Sequence, residues 1–235
     1  MELLVCDLGT CSYADVLELQ REIARARISG AIAEDVLLLV EHPPVVTLGR
    51  GTKAGNLLAS PELLAARGVE LFEVDRGGDV TFHGPGQLVG YPIIDLKRHR
   101  QDLHWYLRQV EEALIRALVP FGIVGARNAG YTGVWTDERK LASIGVHARD
   151  WVTWHGFALN VTTDLSYFDL MVPCGIAEVA MTSVAREIGS APAGEGVGLG
   201  ERARAQVVAG FAAVFGLSPV AVSRLDLERA AHSSQ

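Results

Sequence analysis

The chain has 235 residues, of which 49% are hydrophobic and 21% are charged, a composition typical of a soluble globular protein. No apolar run reaches the roughly 20 residues that a membrane-spanning helix needs. The first residues lack the basic and apolar segments of a secretory signal. The formal net charge of −7 argues against nonspecific nucleic-acid binding. We therefore expect no membrane and no nucleic acid among the partners.

Three cysteines are spread along the chain, at Cys6, Cys11 and Cys174. An odd and sparse set is not a disulfide framework, and no Cys-x-x-Cys pair indicates zinc. This usage favours a cytoplasmic location, where thiols stay reduced. We expect neither a metal nor a cofactor, because no pair of ligand residues has metal-site spacing.

The first third of the chain alternates short apolar strands with two helices. Strands are predicted at 2–6, 36–40, 45–48 and 69–74. Ser12 is predicted to cap a helix that Gly30 ends. Ser60 before Pro61 predicts the start of a second helix, and Gly68 its end.

Strands and helices also come in mixed order in the rest of the chain. We predict strands at 79–83 and 88–96, a helix from Asp102, two or three strands within 131–161, and an amphipathic helix at 201–215. There is no regular βαβ rhythm, so a Rossmann domain is not expected. Consecutive strands with short loops imply antiparallel pairing. We predict an α+β fold with a mixed, largely antiparallel sheet and packed helices, as one domain of residues 1–228 with a frayed tail at 229–235.

Cys174 lies between Pro173 and Gly175. Proline fixes the approach of the chain and glycine leaves room beside the sulfur, which suits a thiol presented at a loop tip. The other interpretation is a small buried residue in a turn. Cys6 is predicted to lie in the core, and little around Cys11 indicates a site.

A nucleophilic cysteine needs a neighbour that favours its thiolate, because a free thiol titrates at about 8.5. His83, His147 and His155 are candidates. Lys140 is another, since its ammonium stabilises a thiolate and its amine takes a proton when desolvated. Lys140 heads an apolar strand, where a lysine otherwise protects a sheet edge.

Two segments are rich in small residues. In 154–160 (WHGFALN), Gly156 and Ala158 alternate with large residues, which leaves one face for a ligand or for a closely packed helix. The segment 76–92 (RGGDVTFHGPGQLVGYP) holds five glycines, more than its type II turn requires. We interpret Gly77 and Gly78 as clearing the backbone for a ligand. For Gly90, packing and ligand approach explain the glycine equally well.

Four segments in the middle of the chain stand in an order and spacing that match one family. They are Arg76–Gln87 (RGGDVTFHGPGQ), Lys140–Val146 (KLASIGV), His155–Asn160 (HGFALN) and Val172–Ile176 (VPCGI). Together they resemble the bacterial lipoyl(octanoyl) transferases. The resemblance implies the fold of the biotin and lipoate protein ligases. It also implies transfer of an octanoyl group from an acyl carrier protein to a lysine of a lipoyl domain.

The resemblance further implies roles for individual residues. Cys174 matches the cysteine that accepts the acyl group, and Lys140 matches the lysine that acts on it as acid and base. Fourteen positions match the substrate lining: Arg76, Gly77, Gly78, Asp79, Val80, Thr81, Phe82, His83, Ser143, Ile144, Gly145, Gly156, Phe157 and Ala158. The ligand near Gly77 and Gly78 would then be the acyl group with its carrier arm.

The implied partners are octanoyl-acyl carrier protein as donor and two kinds of acceptor, the lipoyl domains of 2-oxoacid dehydrogenase complexes and the glycine cleavage H protein. We expect both substrates to be acidic, so recognition by a chain of charge −7 needs a local positive region. Candidates are Arg76, Arg139, Lys140, Arg149 and the run Lys97-Arg98-His99-Arg100. An ordinary solvated loop explains the run equally well.

Three other functions fit parts of the sequence. An ATP-dependent lipoate or biotin ligase would activate a free acid as an adenylate and need no cysteine nucleophile. A thiol hydrolase would pair Cys174 with His83, His147 or His155. A non-catalytic acyl-carrier binding protein would keep the fold without turnover, although the presence of Cys174 and Lys140 argues against it.

Overall fold

The computed structural model describes residues 1–53, 55–173, 179–189 and 198–232. The strands are β1 (Glu2–Thr10), β2 (Asp35–Glu41), β3 (Val45–Leu48), β4 (Glu70–Glu73), β5 (Val80–His83), β6 (Gln87–Ile93), β7 (Ala126–Asn128), β8 (Tyr131–Thr136), β9 (Arg139–Arg149), β10 (Val152–Asn160), β11 (Ala180–Met181) and β12 (Ser218–Ala221). The helices are α1 (Tyr13–Ser29), α2 (Pro61–Ala66), α3 (Leu103–Leu118), α4 (Val184–Glu187), α5 (Leu199–Phe215) and α6 (Arg224–His232). Within the described ranges, no helix has both the length and the apolar character needed to cross a membrane.

Most strands form one sheet in the order β12-β1-β2-β6-β10-β9-β8-β7, with β11 beside β9. β12, β1 and β2 run parallel, as do β11 and β9. The five neighbouring pairs β2–β6, β6–β10, β10–β9, β9–β8 and β8–β7 are antiparallel. A second sheet of three strands has the order β4-β3-β5. The predicted α+β fold with a mixed, largely antiparallel sheet is confirmed.

Helices cover both faces of the large sheet. Leu37 and Leu39 of β2 lie in a core shared with α3 and α5. Val36, Leu38 and Val40 of the same strand lie in a second core shared with α1 and α6. Because β2 is buried on both faces, its sequence is a continuous apolar run rather than an alternating one.

Side-chain caps determine where the helices begin. Ser12, Ser60 and Asp102 each accept a hydrogen bond from the backbone N–H three residues further on, at the starts of α1, α2 and α3. Gly30 ends α1 in the left-handed conformation with φ of 84°. The predicted starts of these helices and the predicted end of α1 are confirmed.

The end of β1 and the C-terminal tail differ from their predictions. β1 continues to Thr10, four residues beyond its predicted end, because it pairs with β2 that far. The tail that was expected to be frayed from Arg229 is helical as far as His232 in α6. This extension is stabilised by burial, since Leu227 is enclosed and Ala230 packs against the α1 core. Residues 233–235 of the tail lie outside the described residues.

A chain of hydrogen bonds joins the small sheet to the large one. Gln87 Nε2 donates to the carbonyl oxygen of Phe82 at 3.1 Å and to Oδ1 of Asn160 at 3.0 Å. Because a carbonyl only accepts, the orientation of the Gln87 amide is fixed, and its Oε1 accepts from His83 Nδ1 at 2.8 Å. Asn160 Nδ2 in turn donates to the carbonyl oxygen of Thr182 at 3.0 Å. His83 therefore carries a proton on Nδ1, and because burial lowers its pKa to about 3, the ring is neutral at pH 7.

A second histidine, His42, is also neutral. Its Nδ1 donates to the carbonyl oxygen of Cys11, and its Nε2 accepts from the Tyr91 hydroxyl, both at 2.7 Å. Tyr13 of α1 stacks on His83 with ring centroids 5.9 Å apart and meets His42 edge-on at 5.3 Å. Burial lowers the pKa of His42 to about 4 and the pKa of His83 to about 3.

Gly90 of β6 pairs with Phe157 of β10. A Cβ on Gly90 would lie 2.1 Å from Cζ of Phe157, whose ring covers the glycine. The same ring stacks on Phe211 of α5 with centroids 5.5 Å apart. Of the two explanations that the sequence left open for Gly90, the structure supports packing.

The buried histidines predict a pH-dependent stability. Because their pKa values in the fold lie below the usual 6.5, the unfolded chain binds more protons than the folded chain between about pH 6.5 and 4. The free energy of unfolding should therefore fall as pH is lowered through this window, by up to about 1.4 kcal/mol per pH unit for each histidine. Urea unfolding between pH 7 and 5 measures the slope, and His83→Gln should reduce it. An unchanged slope in that variant would contradict the assignment.

The Gly90–Phe157 contact predicts the cost of a single methyl group. Gly90→Ala should lower the free energy of unfolding by about 1–3 kcal/mol, because the enclosed Phe157 ring has little room to move. A double-mutant cycle with Phe157→Leu, measured by urea unfolding, provides the control. The smaller side chain should relieve part of the cost of Gly90→Ala, and strictly additive losses would show that the two residues do not compete for space.

Candidate active site

A cavity of about 460 Å³ is enclosed by parts of both sheets, by α1 and by the start of α3. Strands β5, β6, β9 and β10 contribute side chains, and the loop between β4 and β5 closes one side. Leu103 of α3 and Tyr131 of β8 belong to the lining and are 39% and 45% exposed. The cavity therefore reaches solvent beside these two residues.

Twelve of the fourteen predicted substrate positions line this cavity. They are Arg76, Gly77, Gly78, Asp79, Thr81, His83, Ser143, Ile144, Gly145, Gly156, Phe157 and Ala158. Val80 and Phe82 do not, because strand alternation turns them to the other face of β5. They join a separate core cluster, in which Phe82 stacks on Tyr167 with centroids 4.5 Å apart. These two residues support the wall from behind.

Arg76 is buried in the loop between the two sheets. Its Nη2 donates to both the carbonyl oxygen and the hydroxyl of Thr47 at 2.9 Å, and its Nη1 donates to the carbonyl oxygen of Gly77 at 3.1 Å. The loop backbone is bonded on both sides. Gly77 N–H donates to Val146 of β9 at 2.8 Å, and the Arg76 carbonyl accepts from Arg50 at 3.0 Å. These hydrogen bonds hold the loop against β9 on one side and against the end of β3 on the other.

Glycines allow this loop to pass its neighbours at close range. A Cβ on Gly145 would lie 2.7 Å from the Gly77 carbonyl oxygen, and one on Gly49 would lie 2.4 Å from the Gly78 carbonyl oxygen. Gly78 also has a φ of +87°, which favours glycine. Packing therefore accounts for Gly49 and Gly145, and backbone conformation accounts for Gly78. A Cβ on Gly77 would meet only the Val146 carbonyl oxygen, at an ordinary contact distance of 3.4 Å, so the interpretation that Gly77 clears the backbone for a ligand stays a prediction.

Gly156 is likewise required by the pairing of strands. A Cβ on Gly156 would lie 2.1 Å from the carbonyl oxygen of Gly90 and 2.6 Å from Cδ of Pro92. His155 before it has a φ of +56°, a value that is uncommon for a residue other than glycine. The close neighbour of Gly156 is therefore strand β6 and not a packed helix, and Gly156 also lines the cavity, so a role beside a ligand stays a prediction.

Lys140 is only 1% exposed and lines the cavity. Its Nζ lies over the ring of Trp135, 4.9 Å from the centroid, in a cation–π contact. Its Cε would lie 3.0 Å from a Cβ on Gly133, so the glycine makes room for the lysine stem. Lys140 is therefore held by packing inside the protein, which contradicts the interpretation of a solvated residue that protects a strand end.

Cys174 lies outside the described residues, but the chain on each side of it is described. Before it, Val172 N–H donates to the carbonyl oxygen of Asn56 at 2.7 Å. After it, β11 pairs in parallel with Arg139 and Lys140. The chain that follows Cys174 therefore returns to the described structure beside Lys140.

The cavity-lining His155 belongs to a cluster with Asp75 and His147 that the sequence did not predict. His155 Nε2 lies 2.8 Å from Oδ1 of Asp75, and His147 Nδ1 donates to the Asp75 carbonyl oxygen at 2.9 Å. The hydrogen bond from His155 holds the pKa of Asp75 well below its usual range, and burial lowers the pKa of His155. His155 Nδ1 is enclosed without a partner among the described residues. No sequence spacing signals this contact, because the partners are 72 and 80 positions apart.

Ten further lining residues were also not predicted. They are Tyr13, Val89, Tyr91, Leu103, His104, Leu107, Gly130, Tyr131, Thr132 and Val146. Those on α1, α3, β6 and β9 carry only the periodic signal of a helix or strand, which predicts burial and does not distinguish a core from a cavity.

The predicted positive region is not a single exposed surface. The side chain of His99 is only 6% exposed, and its Nε2 lies 2.7 Å from Asp35, which Arg27 also contacts at 2.7 Å. Arg76 and Lys140 are enclosed as well. The remaining cations have partners on the protein: Lys97 with Asp95, Arg98 with the Ala33 carbonyl, Arg100 with Asp102, Arg139 with Glu187, and Arg149 with Asp150. Arg76 and Lys140 therefore do not belong to an exposed docking surface, whereas a docking role for the exposed cations stays a prediction.

The arrangement combines an apolar slot with an enclosed amine. Ile144, Phe157 and Leu107 provide apolar surface in the same cavity as Lys140. Among residues in the described ranges, no group of three or more His, Cys, Asp or Glu side chains is arranged to hold a metal ion. The site is chemically suited to hold an aliphatic acyl chain and to move a proton at its carbonyl end.

Sequence comparisons agree with one another. The family model for the lipoyl protein ligase A/B catalytic domain matches residues 12–198. An octanoyltransferase from Acidobacterium capsulatum is 55% identical over 206 residues, which cover 82% of this chain and 83% of that protein. An octanoyltransferase from Rubrobacter xylanophilus is 53% identical over 210 residues, which cover 88% of this chain and 91% of that protein.

Solved structures share the fold at low identity. A putative lipoate protein ligase from T. acidophilum has a TM-score of 0.72 at 15% identity, covering 97% of this chain and 93% of that one. A lipoate-protein ligase A bound with ATP has a TM-score of 0.72 at 16% identity, and the match covers 97% of this chain and 92% of that one. Identities this low support the fold alone. The family model and the closely similar relatives show that the chain belongs to the octanoyltransferases of the lipoyl protein ligase A/B catalytic-domain family and is an acyltransferase.

Proposed function

We propose that this enzyme transfers an octanoyl group from octanoyl-acyl carrier protein to a specific lysine of lipoyl domains, the first step of endogenous protein lipoylation. The observation that carries the proposal is the enclosed Lys140 in an apolar cavity, beside the strand at which the chain returns from Cys174. The names of the similar relatives support octanoyl as the transferred group. No cofactor takes part in the proposed reaction.

The proposed acceptors are the lipoyl domains of 2-oxoacid dehydrogenase complexes and the glycine cleavage H protein. An archaeal bi-partite lipoate protein ligase of the same fold, with a TM-score of 0.73, is described together with its E2 lipoyl domain. That neighbour supports a lipoyl domain as the class of acceptor. The sparse, odd-numbered set of cysteines supports a cytoplasmic setting for the reaction.

In the first proposed step, the Cys174 thiolate attacks the carbonyl carbon of the octanoyl thioester. A thioester to Cys174 forms, the bond from the acyl carbon to the carrier's sulfur breaks, and Lys140 Nζ gives a proton to the leaving thiolate. Before the attack, the Lys140 ammonium stabilises the thiolate by its charge. This matters because only a few per cent of a free thiol is ionised at neutral pH.

In the second proposed step, the neutral amine of the acceptor lysine attacks the Cys174 thioester. The amide bond forms, Cys174 leaves as a thiolate, and Lys140, now an amine, takes the proton released by the attacking nitrogen. The starting pair of thiolate and ammonium is thereby restored. General acid–base catalysis of this kind contributes typically about 10²–10⁴-fold to the rate.

The cavity provides the other contacts that the reaction needs. The eight-carbon chain is proposed to lie along Ile144, Phe157 and Leu107, all of which line the cavity. Charge that develops on the acyl oxygen needs N–H donors. The backbone of Ser143 to Gly145, which also lines the cavity, is a source of such donors.

An ATP-dependent ligase is the second candidate, because a ligase bound with ATP has the same fold. Such an enzyme forms an acyl adenylate and needs no cysteine nucleophile. The transferase is favoured because the relatives named octanoyltransferase are 53–55% identical to this chain, whereas the ligases are 15–16% identical. A protein that only binds the carrier would have no need of both Cys174 and Lys140.

An acyl intermediate on Cys174 predicts an octanoyl adduct that forms without ATP and that hydroxylamine removes. Wild-type protein incubated with octanoyl-acyl carrier protein should gain one octanoyl group, detected by intact mass and removed by hydroxylamine, which cleaves thioesters. Cys174→Ala should gain none. Cys11→Ser is the matched control, because Cys11 is a free and partly buried thiol, and it should label like the wild type. A requirement for ATP would favour the ligase, and equal labelling of Cys174→Ala would exclude this nucleophile.

The proposed role of Lys140 predicts a change in both rate and thiol titration. Lys140→Ala should lower octanoyl transfer by about 10²–10⁴-fold. It should also move the pH dependence of Cys174 alkylation upward, because a neighbouring ammonium favours the thiolate. Lys97→Ala removes a lysine that pairs with Asp95 away from the cavity and is the matched control. A thiol titration that does not move in Lys140→Ala would remove the pairing.

A further inference from the structure

The loop after β3, residues 49–53 (GRGTK), carries two cations that the proposed reaction does not use. Arg50 and Lys53 are exposed, and neither side chain has a hydrogen bond or ion pair within the described part of the chain. Both line a second cavity of about 480 Å³. They differ in this respect from Lys97, Arg98 and Arg100, which contact partners on the protein.

The charges and polar groups of this second cavity favour an anion. Glu73 of β4 also lines it, so two cations and one carboxylate leave an excess of one positive charge. Thr52 lies between the cations in sequence, and its hydroxyl is enclosed without a partner among described residues. The backbone N–H groups of Arg50, Gly51 and Thr52 already donate to carbonyl oxygens of the protein. An anion would therefore be bound by side chains.

The loop adjoins the active-site cavity on one side and the chain leading to Cys174 on the other. Gly51 N–H donates to the carbonyl oxygen of Gly78 at 2.9 Å, and Gly78 lines the active-site cavity. Asn56, three residues beyond Lys53, accepts from Val172 at 2.7 Å. Val172 precedes Cys174 by two positions. A ligand anchored at the loop can therefore extend across Gly78 toward the reacting carbonyl.

We propose that Arg50 and Lys53 bind the phosphate of the phosphopantetheine arm that carries the octanoyl group. This inference rests on the proposed function. An acyl carrier protein presents its acyl group as a thioester at one end of a flexible arm and has a phosphate at the other end. A guanidinium and an ammonium are the side chains best suited to a phosphate. Fixing the phosphate orders the arm before the thioester reacts, which favours transfer from a carrier over transfer from a bare thioester.

Two small donors that differ only in the phosphate test this site, octanoyl-4′-phosphopantetheine and octanoyl-pantetheine. In the wild type, the phosphorylated donor should have a KM lower by about tenfold, a difference of the size that two exposed ion pairs produce. In Arg50→Gln/Lys53→Gln, this advantage should disappear through a higher KM for the phosphorylated donor. The KM and kcat for octanoyl-pantetheine should not change. The unphosphorylated donor therefore reports whether the variant is folded and active.

Matched cations and a binding measurement complete the test. Lys97→Gln/Arg149→Gln removes the same charge elsewhere and should keep the advantage of the phosphorylated donor. Calorimetric titration with 4′-phosphopantetheine, which carries no acyl group, should give a Kd about tenfold higher for Arg50→Gln/Lys53→Gln than for the wild type. Equal KM values for the two donors in the wild type, or an advantage that survives in Arg50→Gln/Lys53→Gln, would overturn the phosphate site alone. Failure of both small donors and of octanoyl-acyl carrier protein to transfer octanoate to a lipoyl domain would overturn the proposed function and this inference with it.

Discussion

The fixed orientation of the Gln87 amide is the constraint on which the site depends. Its Nε2 donates to Asn160 at 3.0 Å and its Oε1 accepts from His83 at 2.8 Å, so one side chain links the cavity wall to the centre of the large sheet. Asn160 continues the chain to the carbonyl oxygen of Thr182, and the Thr182 N–H donates to the carbonyl oxygen of Lys140. Because these groups are buried, an unsatisfied member would cost about 1–3 kcal/mol, and the network resists rearrangement. The distance between the wall and the lysine strand is thereby set by hydrogen bonds that cannot easily be exchanged.

The second constraint is the close passage of the loop between β4 and β5 along β9. Gly77 donates to Val146, and a Cβ on Gly145 would collide with the Gly77 carbonyl oxygen at 2.7 Å. Any residue other than glycine at position 145 would force the backbone of the loop to shift. Arg76 holds the same loop to the small sheet through Thr47. Arg76, Gly77 and Gly145, which belong to the predicted substrate lining, therefore also form the packing contact that closes one side of the cavity.

The sequence was most informative where a local rule decides the structure. Ser12 and Ser60 cap helices as predicted, because capping depends on residues three positions apart. Alternation in β5 places Thr81 and His83 toward the cavity, and the same alternation removes Val80 and Phe82 from it. The contact between Asp75 and His155 was missed, since only the tertiary fold brings together residues 80 positions apart. In the run at 97–100, the contacts of Arg98 with the Ala33 carbonyl and of His99 with Asp35 were missed for the same reason.

The low basicity of the cavity histidines separates two ways of activating a thiol. A general base is most effective when its pKa lies near the working pH. His83, with a pKa of about 3, is a weak base at neutral pH, and its Nδ1 proton is bonded to Gln87. Burial lowers the pKa of His155 as well, and Asp75 occupies its Nε2. An enclosed lysine instead offers a positive charge that favours a thiolate and a proton for a leaving group. These features argue against His83 or His155 as the base of a hydrolase and are consistent with the proposed transfer through Lys140.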